Sequence, residues 1–345
     1  MRDIAIVSFA QAPNLRATHG TTNGVEMLVP ILREALERAD LAKEDIGFWC
    51  SGSSDYLAGR AFSFIAAVDA IGAFPPIHES HVEADAAWAL YEAWVKIRTG
   101  EVDTALVYGF GKSSAGQLRR VLALQLDPYT VAPLWPDAVS IAGLQARLGL
   151  DRGLWTEREM AEVAARSRAA DPRAQIHERV SADELLARPY LADPLRRHDC
   201  APVTDGAAVV VLAAGDRARD LCDRPAWIRG IEHRVESSQL GARDLTSSPS
   251  TVAAAKAAGA DGVTLAELHT PFSHQEILLR QALGLGDEVT VNPSGGPLAG
   301  NPMFAAGLAR IGEAATRLRG GERALAHATS GPVLQQNLVC VLEAD

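Results

Sequence analysis

The residues best able to do chemistry sit in three short stretches. "HVEADAAWA" (81–89) carries Glu83 and Asp85 just ahead of a helix. "ELHTPFSHQE" (267–276) puts His269 at the end of an apolar strand. "NPSGGPLAGNPMFAAG" (292–307) holds two glycine-rich turns running into another helix. A histidine titrates near neutral pH and is the usual acid or base there. The amide of Asn301 can donate to a carbonyl oxygen but has no basicity near pH 7. Gly295 and Gly296 permit close backbone approach to a bound group. Glu83 reads either as a base or as an acid serving the amides of the helix start, and Asp85 as an N-cap with a possible substrate contact.

Alternating elements must position these side chains. "DIAIVSFA", "IGFWCSG", "PPIHESHVEA" and "DTALVYGFG" read as strands. Helices are expected over 23–41, 57–72 and 85–100 between them. That alternation predicts βαβ units and a mostly parallel sheet. From Lys112 to about Cys200 the pattern breaks, with prolines in "LDPYTVAPLWPDAVS", a helix in "WTEREMAEVAARSRAA" and an irregular "LLARPYLADPLRRHDC". This segment reads as a cap inserted on the first sheet. The plan then repeats, with helices in "SPSTVAAAKAAGA", "HQEILLRQALGL" and "PMFAAGLARIGEAATRLRGG" and closing strands "RALAHATSG" and "LQQNLVCVLEA". The expected division is a first half over 1–222, with its insertion at about 112–200, and a second half over 223–345.

Composition narrows the class. The chain has 345 residues, 48% of them hydrophobic, and a formal net charge of −10, which argues against a nucleic-acid partner. The four cysteines are far apart, so neither a structural zinc site nor a disulfide framework is expected. The opening apolar run of about seven residues is short for a signal segment, and none approaches the ~20 residues of a membrane span. A cytoplasmic protein is expected.

Four stretches carry a family resemblance: "DCAPVTDGAAVVVLAA", "LAELHTPFSHQEILLRQALGLG", "VNPSGGPLAGNP" and "ATSGPVLQQNLVCVLEA". In this order they resemble the thiolase superfamily, closest to its sterol-carrier or lipid-transfer-protein type. The resemblance implies an α/β fold, a five-layer αβαβα sandwich of two similar halves, and action on acyl-CoA thioesters with no covalently bound cofactor and no metal. Thiolases use a cysteine at a helix N-terminus, a histidine in a Gly-His-Pro turn and a second cysteine near the C-terminus. Here the nucleophile region falls at or beside Glu83 and has no thiol. Asn301 stands where the histidine would, and the last position falls at Ala328 to Ser330, making Ser330 a candidate substrate contact. His269 matches a position where lipid-transfer-type members carry histidine, which marks it as an acid/base candidate.

Some members of this branch lack the cysteines and cleave 3-hydroxyacyl-CoA side chains by retro-aldol reaction. They work with a small OB-fold, zinc-ribbon-type partner and use tyrosines at the site of His269 and near Ala299; this sequence has neither tyrosine. The resemblance thus implies a lyase of steroid-like or branched acyl-CoA. The alternatives are a non-catalytic subunit supporting a catalytic paralogue and, third, an acyltransferase. A homodimer or a heteromer is implied in each case. His81 and His274 read as structural or surface residues, Trp88 and Trp94 as core or interface. Tyr108 and Lys112 read as core and surface residues, or as bordering the pocket, and Arg119 and Arg120 as solvated surface charges or as facing CoA phosphates. Cys50 reads as buried and inert.

Overall fold

The computed structural model describes residues 2–18, 24–58, 62–171 and 176–345. Ten strands form the main sheet: β1 (Ile4–Gln11), β2 (Phe48–Gly52), β3 (Glu79–Val82), β4 (Thr104–Lys112), β5 (Asp205–Ala214), β6 (Ala226–Val235), β7 (Leu265–Leu268), β8 (Thr290–Val291), β9 (Arg323–Ser330) and β10 (Gln336–Ala344). Their lateral order is β8-β7-β9-β10-β6-β1-β5-β4-β2-β3. Within β1–β5 and within β6–β10 the order is the same: third, second, fourth, fifth, first. The two halves are therefore topological copies, although their sequences do not show it. They meet at a short antiparallel seam where Ala5 pairs with Trp227 and Ile6 with Ala226. β2 pairs in parallel with β3 and β4, and β7 with β8 and β9, while β1, β5, β6 and β10 pair antiparallel.

The longer helices are α1 (Gly24–Arg38), α2 (Ala86–Arg98), α3 (Ala138–Asp151), α4 (Glu157–Ala170), α5 (Pro249–Ala258), α6 (Ser273–Leu283) and α7 (Ala306–Arg317). α2 and α7 lie between the halves. Their Leu90, Ile97, Leu308 and Ile311 share one buried cluster with Phe48 and Val107 of the first half and Leu338 and Cys340 of the second. α1 covers the outer face of the first half through Leu28, Ile31 and Leu32. α5 and α6 cover that of the second through Ala254, Leu278 and Leu279. The layers run helix, sheet, helix, sheet, helix, as a thiolase-like sandwich does. Strands buried on both faces explain unbroken apolar runs such as "AAVVVLAA". Each fully buried leucine or isoleucine in these clusters contributes on the order of 1.5–3 kcal/mol.

The structure departs from expectation in the inserted region. Leu118–Leu124 and α3 are helical, although the prolines around 128–136 made that stretch read as irregular. The insertion also packs on the second half, not on the first sheet it leaves. Ala142, Ala146, Trp155 and Met160 join the cluster of α5 and α6. At this junction Gln145 Oε1 meets His274 Nε2 at 2.9 Å and accepts from Gln275 Nε2 at 3.0 Å. His274 is thus a buried structural residue. The helix expected over 57–72 is shorter: Asp55–Ala58 and Ile65–Ile71 are helical, and residues 59–61 of that expectation lie outside the described residues, as does Asn23 of the first helix.

Candidate active site

The two central helices start at one point, and Asp85 holds both starts. Its Oδ1 accepts from Ala87 N at 2.9 Å and Leu308 N at 3.0 Å, and its Oδ2 from Gly307 N at 2.9 Å. One carboxylate therefore caps α2 and α7 together, satisfying amides no helix can satisfy internally. Burial pushes its carboxyl upward in pKa, and these three donors and Arg310 oppose that. Asp85 borders the cleft described below, and its oxygens are engaged by both caps, in keeping with the N-cap reading.

The glycine-rich loop is pinned by buried charge. Glu267 accepts from Ser294 N at 3.0 Å, from Ser294 Oγ at 2.7 Å and from Arg310 Nη1 at 2.7 Å. Asn292 accepts from Leu268 N at 2.7 Å and donates to Glu276 at 2.8 Å, and Glu276 pairs with Arg166. Gly295 and Gly296 have φ of 91° and 59°. A Cβ on Gly295 would stand 2.9 Å from Ser167 O. Gly295 lets the loop lie against α4, Gly296 lets it fold over the Asn292 side chain, and neither lines the cleft described below. A second close approach is made by Met303 and Phe304, which cross β4. A Cβ on Gly109 would meet Phe304 O at 2.2 Å, and one on Gly111 would meet Met303 O at 2.4 Å. The "GFG" of β4 is there to admit this backbone.

The loop delivers Asn301 to His269. His269 Nε2 lies 3.2 Å from Asn301 Oδ1, and Thr329 N–H donates to His269 Nδ1 at 3.4 Å. With Nδ1 accepting, the ring proton sits on Nε2 and donates to the Asn301 carbonyl. The Asn301 backbone N–H donates to Thr204 Oγ1 at 2.9 Å. Its Nδ2 makes no hydrogen bond to a protein acceptor among the described residues, and Asn301 lines the cleft. Burial, helped by the Arg310 charge, pushes His269 down to about 4. It is neutral at pH 7, and its remaining lone pair faces an N–H. The neutral ring is a weak base at a pKa of about 4 and its remaining lone pair is already occupied, which favours a donor that fixes the amide over the expected acid/base role.

This pair lines a cleft of about 1540 Å³, larger than the ~300–1,000 Å³ of ordinary small-ligand pockets. Glu83, Asp85, Ser330, Met303 and Phe304 also line it. Glu83 is exposed and accepts from Asp55 N at 2.9 Å, two residues ahead of the cap. Arg16, Arg119, Arg120 and Arg197 lie on its walls, and of these Arg119 pairs with Asp137. Cys200 is the one cysteine on the wall, and burial pushes its thiol up to about 12. Cys50 is buried and likewise raised to about 12, and Cys340 is buried beyond reach. No thiolate therefore faces the cleft. Among the described residues no group of three or more His, Cys, Asp or Glu is placed to hold a metal.

Tyr108 and Trp88 are core residues, Trp94 packs against the core under Arg98, and exposed His81 stacks on Phe64. Thr329, Thr204 and Arg310 complete the site yet carry no local sequence signal, because each acts through a contact made only in the fold.

No protein-family model matches the chain. It is 33% identical to the acetyl-CoA acetyltransferase of Methanothermobacter thermautotrophicus over 44% of this chain and 46% of that one. It is 25% identical to that of Methanocaldococcus jannaschii over 91% of this chain and 89% of that one. With the 17-hydroxy-3-oxo-4-pregnene-20-carboxyl-CoA lyase of Mycobacterium tuberculosis it shares 26% identity over 60% of this chain and 56% of that one. The match thus spans about half of the first and third of these relatives. The Ltp2-ChsH2(DUF35) aldolase superposes with a TM-score of 0.82 at 17% identity, covering 99% of this chain and 98% of that one. Human mitochondrial 3-ketoacyl-CoA thiolase superposes with a TM-score of 0.78 at 18% identity, covering 99% of each chain. Among the described residues no helix is long and apolar enough to cross a membrane. The chain thus has the fold of the thiolase and the aldolase it superposes on, and along most of its length its sequence is similar to an acetyl-CoA acetyltransferase.

Proposed function

We propose that this chain is an acyl-CoA carbon–carbon lyase that splits a 3-hydroxyacyl-CoA by retro-aldol reaction, without a cysteine nucleophile. The observation that carries this reading is the His269–Asn301 pair. A neutral imidazole donates to the carbonyl of a primary amide on the wall of a large cleft that offers no thiolate. In the reaction a base removes the 3-hydroxyl proton and the C2–C3 bond breaks. C3 leaves as the carbonyl of a ketone or aldehyde, and the electron pair passes through C2 to the thioester oxygen. Asn301 Nδ2–H stabilises that enolate oxygen, the role of a preorganised oxyanion donor. Protonation at C2 then releases the shorter acyl-CoA. Glu83 is the base, and His269 is a positioning residue acting through Asn301. Arg16, Arg120 and Arg197, which have no ion-pair partner among the described residues, give an acidic chain a basic cleft suited to the phosphates of CoA.

A relative named as a steroid-CoA lyase and a structural neighbour named as an aldolase are compatible with cleavage, and the lack of a thiolate at the cleft weighs against the acyl transfer named for the acetyltransferase relatives. The aldolase's name joins two components, one marked DUF35, and a small OB-fold, zinc-ribbon partner of that kind is proposed here too. A second reading, a supporting subunit in a heteromer with a thiolase-like paralogue, is favoured by one observation: both ring nitrogens of His269 are already engaged. The test is turnover of a branched or steroidal 3-hydroxyacyl-CoA by the purified chain, alone and with a DUF35-type partner. Cleavage that falls by about 10²–10³ in kcat in Asn301→Ala fits the lyase. Cleavage seen only when a paralogous thiolase-like chain is added identifies the subunit.

A further inference from the structure

Behind the cleft wall, Asp205 opens β5 and is fully buried. Its Oδ2 accepts from Thr18 N at 2.9 Å, Thr18 Oγ1 at 3.0 Å and Ser114 Oγ at 2.6 Å, and its Oδ1 from Ser114 N at 3.0 Å. Its backbone pairs with Leu15: Asp205 N donates to Leu15 O at 2.7 Å, and Leu15 N to Asp205 O at 2.9 Å. Burial pushes its carboxyl up in pKa, but the Ser114 and Thr18 donors outweigh burial and hold it below the ordinary carboxylate value. One charged residue thus ties the arm that follows β1, residues 13–18, to the end of β4. Asn14 of the arm enters a slot between two glycines. A Cβ on Gly206 would stand 2.7 Å from Asn14 Oδ1, and one on Gly300 2.5 Å from Asn14 Nδ2.

The fold gains little from this arm. Pro13, Leu15, Arg16 and Ala17 are exposed, so the arm removes little apolar surface from water. Ordering an irregular segment costs conformational entropy, and a buried carboxylate is costly unless donors meet it. What the tether does achieve is to set Leu15, Arg16 and Ala17 on the cleft wall. The residue before Asp205, Thr204, accepts the backbone N–H of Asn301 at 2.9 Å. Two adjacent residues at the start of one strand therefore fix the Asn301 loop and the Arg16 arm relative to each other. We propose that Asp205 is a positioning residue that holds Arg16 to receive a phosphate of the CoA moiety, at a set spacing from the Asn301 amide. A guanidinium suits phosphate because it can offer two parallel N–H donors. Carried on a tethered backbone, it has less freedom to lose on binding than on a loose one.

The proposal rests on the thioester reading, which supplies the phosphates. Its test is titration calorimetry on the whole chain with three probes: a steroid-carboxyl-CoA, the same acyl group on pantetheine, and adenosine 3′,5′-bisphosphate, which offers phosphates without a thioester. Arg16→Ala should weaken the CoA thioester about tenfold and leave the pantetheine thioester within about twofold. Asp205→Asn should do the same, and adding Arg16→Ala to it should cost no more than about twofold further, because both changes remove one contact. Thr18→Val, at a half-buried position, keeps the carboxylate and removes one donor. It should weaken the CoA thioester about threefold, and it carries the test if Asp205→Asn does not fold. Added salt should weaken the CoA thioester more steeply in the wild type than in Arg16→Ala or Asp205→Asn. An unchanged CoA thioester in Arg16→Ala, or equal losses of both thioesters in Asp205→Asn or Thr18→Val, would overturn the positioning role. If the bisphosphate binds as tightly as the CoA thioester and the same variants weaken it, the Asp205–Arg16 tether stands and the thioester reading fails.

Discussion

At the scale of single residues, the account turns on what His269 and Asn301 each do. His269 is held neutral, so the rate should show no ionisation near pH 6.5 attributable to it; its proton uptake lies near pH 4. A kcat profile in which His269→Gln removes an inflection between pH 6 and 7 would contradict the positioning role. His269→Gln, which keeps an N–H for the Asn301 carbonyl, should retain more activity than His269→Ala, by about tenfold if one neutral hydrogen bond is at stake. Both residues were legible in the sequence because "ELHTPF" and "NPSGGPLAGNP" carry the family resemblance. Their division of labour could not, since it depends on Thr329 N–H and the Arg310 charge, which come from 60 and 41 residues away in sequence.

At the scale of elements, Asp85 joins two helices that start 220 residues apart in the chain. Asp85→Ala removes acceptors from three amides and should cost about 2–4 kcal/mol, more than one ordinary cap. Urea unfolding checks this, with Glu83→Ala as the control. A small stability change combined with lost substrate affinity would instead favour a substrate contact. Gly109→Ala should likewise displace the Met303–Phe304 backbone, with a loss of about 1–3 kcal/mol from overpacking. An N-cap at Asp85 was legible from its place before an apolar helix; the second helix on the same carboxylate was not. Gly295 and Gly296 were legible as close-approach residues, but sequence cannot tell a ligand from α4 as the thing approached. The strands read well because burial on both faces leaves long apolar runs. Leu118–Leu124 and α3 were hidden by flanking prolines, and nothing local reports that the insertion packs on the other half.

At the scale of the whole molecule, burial lowers the pKa of four histidines: His198 and His269 to about 4, His274 and His327 to about 3. The unfolded chain takes up these protons near pH 6.5 and the folded chain only below 4. Between those values the unfolded state binds more protons, so stability rises with pH. The histidine contribution is complete above about pH 6.5 and is lost as pH falls toward 4, with a slope of up to ~1.4 kcal/mol per pH unit for each histidine. Melting temperatures measured from pH 7 to 4 should fall steeply, and His274→Gln should flatten the fall. A flat curve would mean that these rings are solvated or paired otherwise.

The reaction itself is the most direct test. The chain, with a DUF35-type partner present, would be incubated in D₂O with a steroidal or branched 3-hydroxyacyl-CoA. Small products and intact protein would then be weighed by mass spectrometry. Retro-aldol cleavage predicts a carbonyl product, a shorter acyl-CoA carrying one solvent-derived deuterium at C2, and a protein mass that does not change. An acyl group found on the protein, or transfer of the acyl group to added CoA, would contradict the account, and so would an intact substrate.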